Sequence, residues 1–186
     1  GIVLKNKGYI GLTATNIAKA AGLSRRLITM YFGSVDELVE TYVRNKDFWL
    51  AASGNAGEMI AANKGEDTKK IIEYLLQNQI DNFYDNPEMQ KLILWEISKK
   101  TKIMYEVCEE REHLGSKVFE LTDKELQGRN IDIRAVTALL VAGIYYMVLH
   151  AKSTDTTFCE IDINQPEGMQ RIKNAISLIL ENTYNN

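Results

Sequence analysis

"GLSRRLITMYF", residues 22–32, places two adjacent arginines directly after a serine and ends on Tyr31 and Phe32. Ser24 is a good N-cap, because its hydroxyl can accept from a backbone N–H of the first turn. On a helical wheel Leu27, Ile28 and Tyr31 share one face, and Arg25, Arg26, Thr29 and Met30 share the other. A helix of two turns is not stable alone in water, so its neighbours must cover it. Upstream, Thr13 caps "ATNIAKAA", which stops at Gly22. Its apolar face of Ala14, Ile17, Ala18 and Ala21 is so small that another helix must approach closely. Downstream, Ser34 and Glu37 have capping-box spacing. They open a longer helix with Leu38, Val39, Tyr42, Val43, Trp49 and Leu50 as its apolar stripe. "GIVLKNKGY" reads as the last two turns of a helix capped by Gly8, with the start of that helix expected upstream of Gly1. Two short helices across a tight turn, covered on both sides, predict a helix-turn-helix. The second helix of that motif lies in the major groove, led here by Ser24, Arg25 and Arg26.

The rest of the composition limits the alternatives. The chain has 186 residues, 45% hydrophobic, with 2 prolines and a quarter of its residues charged, which suits an all-helical protein and excludes a disordered polyelectrolyte. Its net charge of -3 excludes a uniformly basic nucleic-acid binder. Residues 1–50 nevertheless carry +3, from Lys5, Lys7, Lys19, Arg25, Arg26, Arg44 and Lys46 against Asp36, Glu37, Glu40 and Asp47, which leaves -6 for the remainder. A basic end on an acidic body points to a division of labour. Cys108 and Cys159 match no metal-ligand spacing and read as reduced thiols of a cytoplasmic protein. The apolar run Ala135–Leu149 is short for a bilayer, so no membrane partner is expected. There is no glycine-rich phosphate loop, no histidine pair at metal spacing and no G-x-S-x-G turn. No catalytic residue, metal or cofactor is implied, and the chain does not read as an enzyme. His113 and His150 stand far apart, and Glu109, Glu110 and Glu112 read as solvated charge.

"GNAGEMIAANKGED", residues 54–67, holds three glycines and marks the expected boundary between domains 1–50 and 51–186. Past it, periodicity predicts helices over 67–85, from Asn86-Pro87 onward, over 102–127 and over 132–151, and a last one opened by Asn164-Gln-Pro-Glu167. "TFCEIDI" alternates like a strand but has nothing to pair with, and is read as loop.

The stretch "KGYIGLTATNIAKAAGLSRRLITMYFGSVDELV" resembles the N-terminal DNA-binding region of the tetracycline-repressor (TetR) family of bacterial regulators. The resemblance rests on Gly8-Tyr9, Gly11, Thr13, Ile17-Ala18, Ala21-Gly22-Leu23-Ser24, Ile28, Tyr31-Phe32 and Leu38, and covers residues 1 to about 50. It implies a cytosolic homodimer with three DNA-binding helices, a helical body for a small-molecule effector, and dimerisation by the last two long helices. Carried over, Thr13 and Thr15 lie near phosphate, Arg25, Arg26 and Thr29 face the groove, and Tyr31 lies at its backbone edge. The chain departs from the family at Leu27 (usually Thr), Thr29 (usually Tyr), and Gly33 and Val35 (often Lys). Every phosphate left without a partner weakens binding and flattens its salt dependence.

Ala135–Leu149 is apolar all round and must be buried on more than one side, by an internal core or by a second copy. A four-helix bundle across a two-fold axis also matches a palindromic operator. Leu140, Ile144, Met147, Ile172, Ile176 and Ile179 are the candidate dimer contacts. An effector pocket should be apolar with a few polar groups, and Asn82, Phe83, Trp95, Tyr105, Cys108, Tyr145, Tyr146 and His150 are its candidates. Two functional readings follow: a ligand-responsive DNA-binding regulator, most simply a repressor with helix Asp36–Ala52 as its lever, or a helical ligand- or protein-binding module of the same fold with weak or lost DNA binding.

Overall fold

The computed structural model describes residues 1–47, 49–50, 57–58, 61 and 67–185. The glycine-rich segment 54–67, expected as a domain boundary, lies almost wholly outside them. Nine α-helices are described: α1 Ile2–Lys7, α2 Ala14–Ala21, α3 Arg25–Phe32, α4 Val35–Lys46, α5 Thr68–Asp85, α6 Pro87–Ser98, α7 Lys102–Glu125, α8 Ile133–Thr154 and α9 Pro166–Asn185. The fold is all-α. Several helices start where their caps predict. The side chains of Thr13, Ser34 and Asn86 accept from the N–H groups of Asn16, Glu37 and Met89, and Asp132, not singled out in the sequence, caps α8 through the N–H of Ala135. Asn164 does not cap α9. Its side chain accepts from the Tyr84 hydroxyl at 3.0 Å. "TFCEIDI" closes a two-residue turn with a single bridge, Phe158 to Ile161, and is not a strand. Cys159 and Glu160 hold φ of 51° and 61° there.

Two compact units form. The first joins residues 1–51 with 86–111, and the second joins 52–85 with 112–186. Helix α6 and the start of α7, beyond the expected boundary in sequence, therefore pack with the N-terminal helices. The core of the first unit includes Leu4, Ile28, Val43, Met89, Leu92, Ile93 and Val107. That of the second is built on α5, whose Ile71, Ile72, Leu76, Ile80 and Phe83 meet residues of α8 and α9 such as Ile144, Val148, Ile176 and Leu180. Thr68 at the start of α5 exchanges a 2.7 Å hydroxyl bond with Tyr184, and its N–H donates to Glu125 at 2.8 Å. Burial pushes the Tyr184 phenol up to about 12.

Two ionic clusters hold the first unit together. Asp47 is wholly buried. Its Oδ2 accepts from Arg111 Nε at 2.9 Å and Nη2 at 2.5 Å, and Arg111 Nη1 reaches Glu96 at 2.6 Å. Its Oδ1 accepts from the N–H groups of Trp49 (3.0 Å) and Leu50 (3.1 Å). This double use of one carboxylate corrects the expected continuous helix from Asp36 to Ala52. Helix α4 ends at Lys46, and the Asp47 backbone is extended. In the second cluster Glu88 accepts from the Tyr42 hydroxyl and pairs with Lys5 at 3.0 Å and Lys46 at 3.4 Å. In the same unit Tyr9 stacks on Trp95, with ring centroids 5.4 Å apart and planes 4° from parallel.

The Tyr42 hydrogen bond, with Lys5 and Lys46 beside it, holds the Glu88 carboxyl down at about 2. A depressed carboxyl contributes stability that is fully present above its unfolded value and is lost as pH falls through the folded one. The contribution of Glu88 should therefore be intact at pH 7 and disappear between about pH 4.5 and pH 2. Glu88→Gln is expected to cost roughly 1–3 kcal/mol at pH 7. It should cost much less at pH 2. Urea unfolding followed by tryptophan fluorescence at both pH values checks this; an equal cost at both would show that the charge of Glu88 is not what matters.

Candidate nucleic-acid interface

The turn between α2 and α3 depends on one left-handed residue. Gly22 has φ 67° and ψ 26°, a conformation that glycine adopts without strain. The N–H of Leu23 then reaches the Ala18 carbonyl at 3.0 Å and that of Gly22 the Lys19 carbonyl at 3.3 Å, closing a Schellman motif. The chain turns sharply enough for Ala18 and Ile28 to be buried together in the head. Of the four residues predicted for the buried face of α2, Ala18 is buried, Ala14 and Ile17 are less so, and Ala21 is exposed.

Thr13, Thr15, Ser24, Arg25, Arg26, Thr29 and Tyr31 are all exposed. Arg25 Nη1 reaches the Thr15 hydroxyl at 3.5 Å, so α2 and α3 present one joint polar surface. Ser24 stands at the N-cap with extended backbone, but its hydroxyl makes no capping bond. It and the leading N–H groups of α3 stay open to solvent, in the arrangement that suits a phosphate. Tyr31 is 72% exposed and does not share the core face with Ile28 as the wheel predicted. Helix α3 is a single short pass, and Ile28 alone on it is buried, so residue 31 clears the core. Among the departures, Gly33 takes φ 78° with the Glu37 carboxylate beside it, which puts negative charge where the family often has lysine.

The effector candidates fall in separate places. Phe83 packs edge-on against Tyr145 at 4.9 Å in the second unit, where Tyr146 and His150 meet Phe158 at 5.1 and 5.5 Å. Asn82 is exposed. Trp95 lies in the first unit on Tyr9. Tyr105 and Cys108, also in the first unit, line an open groove of about 400 Å³ with Glu96, Ile97 and Met104. Burial, and the Glu96 carboxylate next, push the Cys108 thiol up, away from reactive thiolate character. Sequence reasoning missed Gln79. It is fully buried on α5, and neither of its side-chain amide atoms has a partner among the described residues. A single glutamine inside an apolar stripe was its only signal.

The dimer candidates divide as well. Ile144 and Ile176 are buried inside the second unit, Leu140, Met147 and Ile172 are less fully covered, and Ile179 is 41% exposed. The larger exposed apolar side chains on these helices are Leu139 (76%), Leu178 (60%) and Tyr146 (54%). Helix α8 runs past the apolar stretch noted in sequence to 22 residues, and an 18-residue window of it has a mean hydropathy of 1.6, long and apolar enough by length and composition to cross a membrane.

The family model described as "Bacterial regulatory proteins, tetR family" matches residues 3–42, which run from α1 into α4 and take in the whole turn. No curated protein and no solved structure matches the chain. The Gly22 turn, the exposed arginines and the matched span coincide, and the chain is a DNA-binding transcriptional regulator that carries the helix-turn-helix domain of the tetR family.

Proposed function

We propose that this chain is a ligand-responsive repressor, cytoplasmic and homodimeric, that binds a palindromic operator and is released by a small-molecule effector. In this reading residues 1–50 are the DNA-binding domain and 51–186 bind the effector and the partner copy. The observation that carries it is the open N-terminus of α3, where Arg25 and Arg26 project with no carboxylate partner among the described residues. A guanidinium fork there suits guanine O6 and N7, or a phosphate. Gln79 supports the effector reading. A buried amide with no partner is costly in an apolar core and is the kind of group a ligand satisfies. The exposed Leu139, Leu178 and Ile179 support the dimer, because apolar area of that kind is stabilised by a second copy. An effector would act by favouring one arrangement of the two reading heads, whose half-sites lie about 34–36 Å apart on one face of DNA.

Selection of bound duplexes from random DNA with the full chain tests the reading. A reproducible palindrome is expected; no enrichment even at low salt would favour a helical ligand- or protein-binding module without DNA binding, the outcome that Leu27, Thr29, Gly33 and Val35 would explain.

Arg25→Ala and Arg26→Ala should differ on the selected operator. A base reader loses about 1–3 kcal/mol and relaxes specificity at one position of each half-site, while a phosphate holder weakens all sequences alike. Operator titrations of each variant decide the assignment, and parent-like binding by both would remove α3 as the reading helix.

Ile144 and Ile176 are unsuitable probes of the dimer, because a charge at either would unfold the unit. Leu139→Glu and Leu178→Glu place the charge where the side chain is already exposed. Sedimentation should show a dimeric parent at tens of micromolar, and at least one variant should be a helical monomer. A monomeric parent would exclude the interface.

A further inference from the structure

The cations of the first unit fall into two groups. Lys5 and Lys46 are paired with Glu88, Arg44 with Glu40, Glu106 and Glu110, Lys102 with Glu106, and Arg111 with Asp47 and Glu96. These charges are neutralised within the unit. Among the described residues Lys7, Lys19, Arg25, Arg26, Lys91, Lys99 and Lys100 have no carboxylate within 4 Å. Arg25 and Arg26 belong to the reading helix. Lys7 reaches Asn16 of α2 at 3.0 Å.

Lys99 and Lys100 come from far along the chain, in the short connection between α6 and α7, and both are exposed. The structure pins that connection to the head. Lys99 Nζ lies 5.9 Å from the centroid of the Tyr9 ring, whose plane stacks on Trp95 of α6. Tyr9 opens the 3-10 turn Tyr9–Gly11, which leads straight into Thr13, the cap of α2. Lys99 therefore meets the turn that leads into α2, and Lys100 is its neighbour in the chain.

We propose that Lys99 and Lys100 form a second phosphate-binding wing, which grips the DNA backbone flanking each half-site. It rests on the reading that α2 and α3 face DNA. The ligand chemistry is the phosphodiester backbone of a duplex, bound without regard to sequence. The wing supplies positive charge that the family often places at the positions of Gly33 and Val35. Two exposed ammonium groups, unneutralised by the protein, release condensed counterions when they meet phosphates. Lysines after a helix C-terminus also complement its dipole, and that effect would appear in stability and not in DNA binding.

The test titrates mixed-sequence duplex DNA with the full chain at several salt concentrations. The variants are Lys99→Ala/Lys100→Ala, the charge-conserving Lys99→Arg/Lys100→Arg, and Lys102→Ala as a control, since Glu106 already neutralises Lys102. The slope of log K against log salt should shrink by about 0.9 for each phosphate that is no longer neutralised, hence by roughly 2 to 4 units for a double variant in one or both heads. The arginine pair should keep the parent slope, and Lys102→Ala should change it little. Circular dichroism melting of each variant confirms an intact fold, and any variant that melts early is replaced by single Lys99→Gln and Lys100→Gln variants. A parent that binds duplex while the alanine pair keeps its slope and affinity overturns the wing alone. A parent that binds no duplex at low salt overturns both the wing and the DNA-binding reading beneath it.

Discussion

Asp47 is the constraint on which the first unit depends. A carboxylate with no exposure to water must be fully compensated, and here it is: two bonds from Arg111 on one oxygen and two backbone N–H groups on the other. Removing one partner of such a group typically costs about 3–5 kcal/mol, because the other charge is left buried and unpaired. The same carboxylate sits at the end of α4 and draws the start of α7 against α4. Through Arg111 and Glu96 it also engages α6. The reading head is therefore integrated with two helices that lie far beyond it in sequence.

That integration changes how a signal would reach DNA. A free-standing head on one long lever would respond only to movement of α4. In the proposed regulator, a head held by Glu88, by the stacked Tyr9 and Trp95, and by the Arg111 bridge would respond to α6 and the start of α7 as well. These contacts are discrete pairs at fixed distances, so they either hold or break. Coupling of this kind needs a two-state element and not a continuous deformation.

The second unit follows a different logic. Its α5 is covered on two sides by α8 and α9, and the polar bonds among them sit at the ends, as with Thr68 and Tyr184. Among the described residues its core carries an unsatisfied glutamine, and α8 leaves Leu139 and Tyr146 exposed. In the proposed dimer a second copy would cover that surface.

Much of this was legible in the one-dimensional string because it depends on short-range chemistry. Thr13, Ser34 and Asn86 cap helices by reaching three residues ahead, and Gly22 turns the chain because only its own φ matters. Arg25 and Arg26 are exposed because the wheel sends them away from Ile28. Local pattern failed where a residue's fate depends on a partner far along the chain. Tyr31 pairs with the apolar residues on a wheel, yet a helix of 8 residues offers too little core to hold it. Ile144 and Ile176 look like interface and are core, while Leu139, on the same helix as Ile144, is outside. Periodicity reports that a helix is apolar but not which neighbour covers each side. Asp47 reads as one more surface acid within a helix until Arg111, 64 residues on, is brought to it. The helices, most of their ends and the reading turn are written in the order of residues, since each is set within a few positions. Which charges are neutralised inside the molecule and which remain exposed is decided by packing, because neutralisation depends on distances that close when the helices come together.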